Sequence, residues 1–192
     1  MNSRQPVLMD FGSVGPLQEP IQTRRQVLQK IEDASMHTTA PYRPPELFEG
    51  GVRAGDAALD YTKVDVWSLG CTLFAVLYGA SPSESEFRTN GHLRIVECSQ
   101  LKVLKASLPE PPAHSPVASW YSLDTHQLVQ AMLTQDRHKR PTLAVVKDKL
   151  QALIQQQGGR VERTVEHAHS DHDDDDETDT VGIALMSNRN FV

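Results

Sequence analysis

The hydrophobic pattern of the chain is dominated by one apolar run over residues 64–78, which reads VDVWSLGCTLFAVLY. A helix that is apolar nearly all round must be surrounded by protein, so this run predicts a central buried helix. Thr62 followed by Asp65 matches the Ser/Thr-x-x-Asp/Glu signal of a helix start, and Gly79 stands where a left-handed C-terminal residue is expected. A helix of this length spans roughly 22 Å, short of the ~30 Å hydrocarbon core of a bilayer, so a membrane span is not expected.

Shorter patterns predict further helices and one strand around this centre. The predicted helices cover residues 23–35, residues 91–101, the stretch from an Asp124 cap to about residue 134, and the stretch from Thr142 to a stop at Gly158 and Gly159. The predicted strand covers residues 5–10, and residues 13–20 and 50–61 are rich in loop-forming residues. The predicted fold class is mainly α, with a short N-terminal β element.

The last residues differ from the rest of the chain in charge. Residues 1–160 have a net charge of +1, whereas residues 161–192 have a net charge of −7. The stretch HAHSDHDDDDETDT at 167–180 has too few apolar residues to offset the entropy cost of ordering. We therefore expect a domain over residues 1–157 and a disordered acidic tail over residues 158–192. Loose binding of a divalent metal ion by the tail histidines is the alternative, but a solvated tail is favoured because nothing fixes their geometry.

Composition narrows the class of protein further. A nearly neutral body argues against a nucleic-acid-binding surface. Cys71 falls inside the predicted buried helix, so Cys71 and Cys98 are expected to be reduced thiols, as in cytoplasmic proteins. The N-terminal residues MNSRQPVLMD lack the long apolar region of a signal peptide and the Met-Gly start needed for myristoylation. We expect a cytoplasmic protein without a transmembrane segment.

Four short motifs follow one another along the chain. They are DFG at 10–12, TAPYRPPE at 39–46, DVWSLG at 65–70 and HKRPT at 138–142. A single motif of this length has a purely structural interpretation as well. The DFG stretch is consistent with a turn after a strand, with Asp10 as a capping residue, and Arg140 is consistent with a solvated arginine beside a helix start. Their order and separations are together more specific than any one motif.

In this order the motifs resemble the C-terminal lobe of protein kinases. The longer stretches PVLMDFGS and DVWSLGCTLF make the chain most similar to the Numb-associated kinase family, and the resemblance covers about residues 4–155. It implies a kinase-like C-terminal lobe and a part in phosphoryl transfer from ATP, with Mg²⁺, to serine or threonine of protein substrates. Pro44 departs from the family pattern, which usually has alanine there, and should stiffen the loop.

The resemblance also assigns roles in binding. Asp10 would bind the metal ions that bridge the ATP phosphates. Thr39 would face the catalytic loop, while Tyr42 and Arg43 would shape the pocket for the substrate residue that follows the phosphoacceptor. These residues therefore form the predicted cofactor and substrate contacts.

Three further residues receive structural roles from the same resemblance. Glu46 and Arg140 would form a buried ion pair across 94 residues of sequence, because a guanidinium group suits a carboxylate in two-point contact. The Asp65 carboxylate would hold the backbone of the catalytic loop. A helical protein unrelated to kinases, with motifs that arose by chance, would instead leave Glu46 and Arg140 far apart.

Other kinase elements are not found in residues 1–192: the Gly-rich phosphate loop, the strand lysine and the catalytic loop with its base aspartate. We expect them upstream of Gln5 in a longer parent, and we expect the 192 residues to be inactive alone. Without them, Leu8, Phe11 and the Asp65 end of the central helix should be unusually exposed or should line a cavity. The alternative function is a kinase-like module that binds proteins without catalysis. Because an acylated family member lies on Golgi and other endomembranes, the full-length protein is expected to have a peripheral association there.

Overall fold

The computed structural model describes residues 9, 11–56, 58–104, 108–110, 115 and 121–170, with backbone alone for residues 13 and 157–170. These residues are mostly helical and include two small antiparallel sheets. The helices are α1 (Arg24–His37), α2 (Tyr61–Tyr78), α3 (Gln100–Leu104), α4 (Leu123–Met132) and α5 (Leu143–Ser170). The strands are β1 (Gln18–Glu19), β2 (Leu59–Asp60), β3 (Ser85–Phe87) and β4 (Leu93–Ile95). The strand predicted over residues 5–10 lies outside the described residues, apart from Met9.

Helix α2 is the predicted central helix, but it begins earlier than the sequence indicated. The Asp60 side chain accepts a hydrogen bond of 2.9 Å from the backbone N–H of Thr62, so Asp60 is the N-terminal cap and the predicted start at Thr62 and Asp65 is wrong. Gly79 ends the helix in the left-handed region at φ 100°, as predicted. Asp60, not Thr62, caps the helix because its side chain lies next to the first backbone N–H groups that have no partner within the helix.

Different sides of α2 pack into three hydrophobic clusters. Val64 joins a cluster with residues of α1 and the loops around β1 and β2, and Val66 joins one with residues of α4 and α5. Trp67 and four other α2 residues join the largest cluster, which also contains Phe48, Val103 and Val129. At Gly70, an added β-carbon would lie 3.0 Å from Met132 Cβ, so the glycine allows α2 and α4 to approach closely.

One stripe of α2 remains uncovered. Asp65, Leu69, Thr72 and Val76 are exposed, and the exposed fraction of Val76 reaches 69%. These positions recur at steps of three and four, which places them on one face of the helix. The prediction of burial on all sides is therefore wrong on this face. The expected exposure of the Asp65 end and of Phe11, which is 67% exposed, is confirmed, while Leu8 lies outside the described residues.

Helix α1 agrees closely with its predicted range. Thr23 and Gln26 form a reciprocal capping box, in which the Thr23 hydroxyl accepts from the Gln26 backbone N–H and the Gln26 side chain accepts from the Thr23 backbone N–H. Val27 and Ala34 are buried on the inner face. Strands β1 and β2 fall in stretches predicted as loops and pair as Gln18 with Asp60 and Glu19 with Leu59.

The helix predicted over residues 91–101 is wrong. Leu93–Ile95 is strand β4, which pairs antiparallel with β3, and the short helix α3 follows later. The two strands are joined through Asn90 and Gly91, and Gly91 has a φ of 82° that glycine adopts without strain. Leu93 and Ile95 alternate with Arg94, which fits the twofold period of a strand.

The last two helices begin near their predicted starts. Helix α4 is capped by the Ser122 side chain, not by Asp124, and Leu123 in its first turn is 70% exposed. Helix α5 starts after Thr142, but the predicted stop at Gly158 is wrong, because the helix continues to Ser170. A helical glycine costs only about 1 kcal/mol relative to alanine, so it weakens a helix without ending it.

The chain divides into two compact units, Met1–Leu153 and Ile154–Val192. All the site residues discussed below belong to the first unit. Of the disordered tail predicted over residues 158–192, residues 158–170 have a helical backbone, and residues 171–192 lie outside the described residues.

Candidate functional site

The candidate site is the segment of residues 39–46, which connects α1 to the loop before α2. It consists of two single 3₁₀ turns, Ala40–Tyr42 and Pro45–Leu47. Pro41, Pro44 and Pro45 restrict the backbone around both turns, and Pro44 has the extended conformation of a capping residue. The segment is therefore held in shape locally before any tertiary contact is counted.

The structure brings Glu46 and Arg140 together in a buried ion pair. Arg140 Nη1 donates to Glu46 Oε1 at 2.8 Å, and Arg140 Nη2 donates to Glu46 Oε2 at 2.9 Å. The exposed fractions of the two residues are 3% for Glu46 and 1% for Arg140. Two parallel charge-assisted bonds fix both the distance and the orientation of the groups. This pair ties the end of the 39–46 segment to the loop before α5.

Arg140 is further surrounded by backbone acceptors and an aromatic ring. Its Nη1 also donates to Lys63 O at 2.7 Å, and its Nε donates to Thr134 O at 3.0 Å. The guanidinium carbon lies 5.0 Å from the centre of the Trp67 ring. Lys63 Nζ in turn donates to Arg140 O. Arg140 therefore links the 39–46 segment, α2 and the chain before α5 at one point, which compensates for the cost of burying its charge.

Two serines hold the middle of the segment, and the sequence did not single out either one. Ser68 Oγ donates to Tyr42 O at 3.1 Å, and Ser83 Oγ donates to Pro41 O at 3.3 Å. Ser68 lies inside the DVWSLG motif, so its place there could have drawn attention to it. Ser83 has no comparable signal. The Tyr42 ring itself packs against the largest hydrophobic cluster.

Arg43 points inward, toward the end of α1. Its Nε donates to Thr38 Oγ1 at 2.7 Å, and its Nη2 donates to Thr38 O at 3.0 Å. The guanidinium carbon lies 5.0 Å from the centre of the Phe48 ring. Arg43 is buried, and burial lowers its pKa. The last turn of α1 thus supplies the acceptors that the guanidinium needs. The predicted role of Arg43 in shaping a substrate pocket stays a prediction.

Thr39, by contrast, is exposed. Its backbone carbonyl accepts from the Tyr42 N–H at 3.0 Å, whereas its side chain makes no capping bond. The hydroxyl is thus presented at the surface, at the start of the first turn.

The two predicted carboxylate roles have different outcomes. Asp10 lies outside the described residues. Asp65 is exposed on the uncovered stripe of α2, and its carboxylate makes no hydrogen bond or ion pair to any residue that the structure describes. Partial burial nevertheless raises the pKa of Asp65, because the charged form is less well solvated there.

Replacing Asp65 with asparagine should therefore stabilise the chain slightly at neutral pH. A carboxyl group whose pKa is raised by folding opposes folding when it is ionised, and this penalty disappears as the pH falls through the folded-state pKa. We expect a gain below about 1 kcal/mol at pH 7, since the residue is exposed to screening solvent. Urea unfolding measured at pH 7 and pH 4 checks this, with the gain smaller at pH 4.

Asp148→Asn, at an exposed position of α5, is the matched control and should change stability little at either pH. A loss of stability on Asp65→Asn at pH 7 would mean that the carboxylate has a stabilising partner in this chain.

Among the described residues, no group of three or more His, Cys, Asp and Glu side chains is placed to hold a metal ion. The same part of the chain has no helix that combines the length and apolar character needed to cross a membrane.

Comparison with known proteins gives one consistent result. Residues 1–152 match the protein kinase domain. The chain is 34% identical over 149 residues to serine/threonine-protein kinase 16 of Homo sapiens, in an alignment that covers 78% of this chain and 44% of that protein. It is 33% identical over 155 residues to serine/threonine-protein kinase ppk13 of Schizosaccharomyces pombe, covering 81% of this chain and 41% of that protein. The chain spans less than half the length of these relatives.

Proposed function

We propose a function from one premise: this chain belongs to the protein kinase domain family. It is related to serine/threonine-protein kinase 16. In our proposal the chain is the C-terminal lobe of a serine/threonine kinase of the Numb-associated family. The complete enzyme transfers the γ-phosphoryl group of ATP to hydroxyl groups of proteins.

The single observation that carries this proposal is the anchored 39–46 segment. Phosphoryl transfer depends mainly on positioning and charge stabilisation, so a segment that presents a protein hydroxyl must keep its shape. The Glu46–Arg140 pair fixes one end of the segment, and Ser68 holds its middle through Tyr42 O. Such rigid support suits a surface that aligns a substrate.

The residues of the segment divide their work in this proposal. Thr39 faces the reacting groups with its exposed hydroxyl, and Tyr42 forms the wall behind it. Arg43 is a positioning residue: it binds Thr38 and so joins the end of α1 to the segment. Asp10 binds Mg²⁺ and, through it, ATP. The described residues alone do not assemble a metal site, so in our proposal the remaining ligands come from other parts of the complete kinase.

The 192 residues alone should not turn over ATP in this proposal. They contain no Gly-rich phosphate loop, strand lysine or catalytic-loop aspartate to complete the site. Purified chain should release ADP no faster than its Asp10→Ala variant, measured by a coupled assay. Turnover clearly above that of the variant would contradict the proposal that the 192 residues need further kinase elements for activity.

A chimera tests the family function directly. Residues 4–152 of this chain replace the matching segment of human serine/threonine-protein kinase 16, and incorporation of phosphate into serine and threonine of a protein substrate is measured. We expect activity in the chimera and a loss on the order of 100-fold or more in its Asp10→Ala form, because the metal then lacks a ligand. Asp148→Ala, at an exposed carboxylate of α5, is the matched control and should remain active. A folded chimera without phosphoryl transfer would contradict the proposal.

A further inference from the structure

A pocket of about 250 Å³ lies beside the 39–46 segment, and the proposed phosphoryl transfer does not use it. It is bordered by α2, the loop after α2, β3, α3 and the residues after α3, and we call it the α2–α3 pocket. Its apolar wall residues are Pro41, Trp67, Pro82, Val103, Leu108 and Pro109. An apolar cavity of about 150 Å³ holds benzene, so this pocket has room for one aromatic ring with a substituent.

One wall residue has an unsatisfied hydrogen-bond donor. Trp67 is 3% exposed, and its Nε1–H has no hydrogen-bond partner. The indole nitrogen is a donor only, so it requires an acceptor such as a carbonyl oxygen. Buried polar groups almost always have a partner, which makes this unpaired donor an exception that calls for an explanation. The nitrogen is covered from water, so a ligand oxygen must displace neighbouring side chains to reach it. Such an oxygen would replace no existing hydrogen bond of Trp67.

The charges around the pocket balance. Its ionisable wall residues include Glu86 and Lys102, whose Oε1 and Nζ lie 3.7 Å apart, and Lys102 Nζ also donates to Glu97 O at 3.0 Å. Burial raises the pKa of the Cys71 thiol in the same wall to about 12, so this group is neutral at physiological pH. The described wall thus offers no unbalanced charge to an ionic ligand.

We propose that the α2–α3 pocket binds a small uncharged molecule that consists of one aromatic ring and a carbonyl-type oxygen, with the oxygen accepting a hydrogen bond from Trp67 Nε1. The proline, valine and leucine walls contact the ring. Since Ser83 and Pro41 both line the pocket and bond to each other, the ligand lies against a contact that holds the 39–46 segment. This inference does not depend on the proposed kinase activity, because binding is measured without turnover.

The test uses acetophenone and ethylbenzene, which share a phenyl ring with a two-carbon side chain and differ in the carbonyl oxygen. The ¹⁵N-labelled 192-residue chain has two tryptophans, Trp67 and Trp120, so its spectrum shows two indole N–H signals, assigned with a Trp120→Phe variant. Acetophenone should shift the Trp67 signal in a saturable manner with a Kd on the order of millimolar, as expected for a fragment. Ethylbenzene should bind at least fivefold more weakly. No saturable shift, or equal affinity for the two probes, would overturn the proposal.

Filling the pocket provides a second test. Ser83→Phe places a ring in the wall from the loop after α2, and Leu108→Trp adds bulk from the residues after α3. Each variant should reduce acetophenone affinity at least tenfold. Ser35→Phe, at an exposed position of α1, is the matched control and should leave affinity unchanged. Wild-type affinity in a folded Ser83→Phe or Leu108→Trp variant would place the probe elsewhere and refute the site. Should neither filled variant fold, the titration of the unmodified chain decides.

Discussion

Replacing Arg140 with methionine should lower the free energy of unfolding of the chain by about 3 to 5 kcal/mol. The change removes both bonds to Glu46 and leaves a carboxylate that is only 3% exposed without a countercharge. It also removes a donor from Lys63 O and another from Thr134 O. Urea unfolding followed by far-ultraviolet circular dichroism measures the loss.

The neighbouring Lys139→Met variant is the matched control. Lys139 Nζ lies 3.8 Å from Asp136 Oδ2, and its side chain is 78% exposed, so its loss should cost less than about 1 kcal/mol. An Arg140→Met loss no larger than this would show that the buried pair does not hold the 39–46 segment. Because replacing both members of a buried pair with apolar residues is often tolerated, the Glu46→Leu and Arg140→Met double variant should recover part of the stability lost in the single variant.

Short, local signals gave mixed results, because some were confirmed while the helix starts predicted at Thr62 and Asp124 were not. The left-handed Gly79 at the end of α2 involves atoms within one helical turn, and the predicted start of α1 falls at Thr23, where the structure adds a capping box with Gln26. The contact of Glu46 with Arg140 was foreseen across 94 residues only because four motifs occurred in a familiar order. Pattern alone would not have paired two charged residues in the interior, since such residues are mostly exposed.

The failures have physical causes of two kinds. At Leu93 and Ile95, short apolar spacing fits both a helix and a strand, and the turn at Asn90 and Gly91 decided for a strand. For Arg43, whose substrate role stays a prediction, the sequence gives the charge but not the direction in which the side chain points. The acceptors on Thr38 exist only once α1 has ended at that point, so the inward orientation is a tertiary result.

The exposed stripe on α2 is also a result of tertiary structure that the sequence pattern does not contain. Hydrophobicity along residues 64–78 shows which side chains favour burial, but not which neighbours cover them. Leu69 and Val76 are apolar yet exposed, next to Asp65 on the same face. An apolar run therefore predicted the helix correctly and its surroundings only in part.

Replacing Gly51 with alanine should destabilise the chain by roughly 3 kcal/mol, at the upper end of the range for added bulk in a packed region. A β-carbon at this position would lie 2.0 Å from Pro45 O and 2.8 Å from Glu46 Cα. Both obstacles are backbone atoms, so the clash is relieved only by moving the turn that carries Glu46. Thermal or urea unfolding of the variant measures the loss.

This displacement should act through the ion pair, which makes the effect non-additive. If moving Glu46 already weakens its bonds to Arg140, then Arg140→Met should cost less in the Gly51→Ala background than alone, by about 1 kcal/mol or more. Gly15→Ala is the matched control, because a β-carbon there meets no atom within 4 Å and the stability should hardly change. Additive losses from Gly51→Ala and Arg140→Met would mean that the loop yields without moving Glu46, and that the shape of the 39–46 segment does not depend on a glycine at this point.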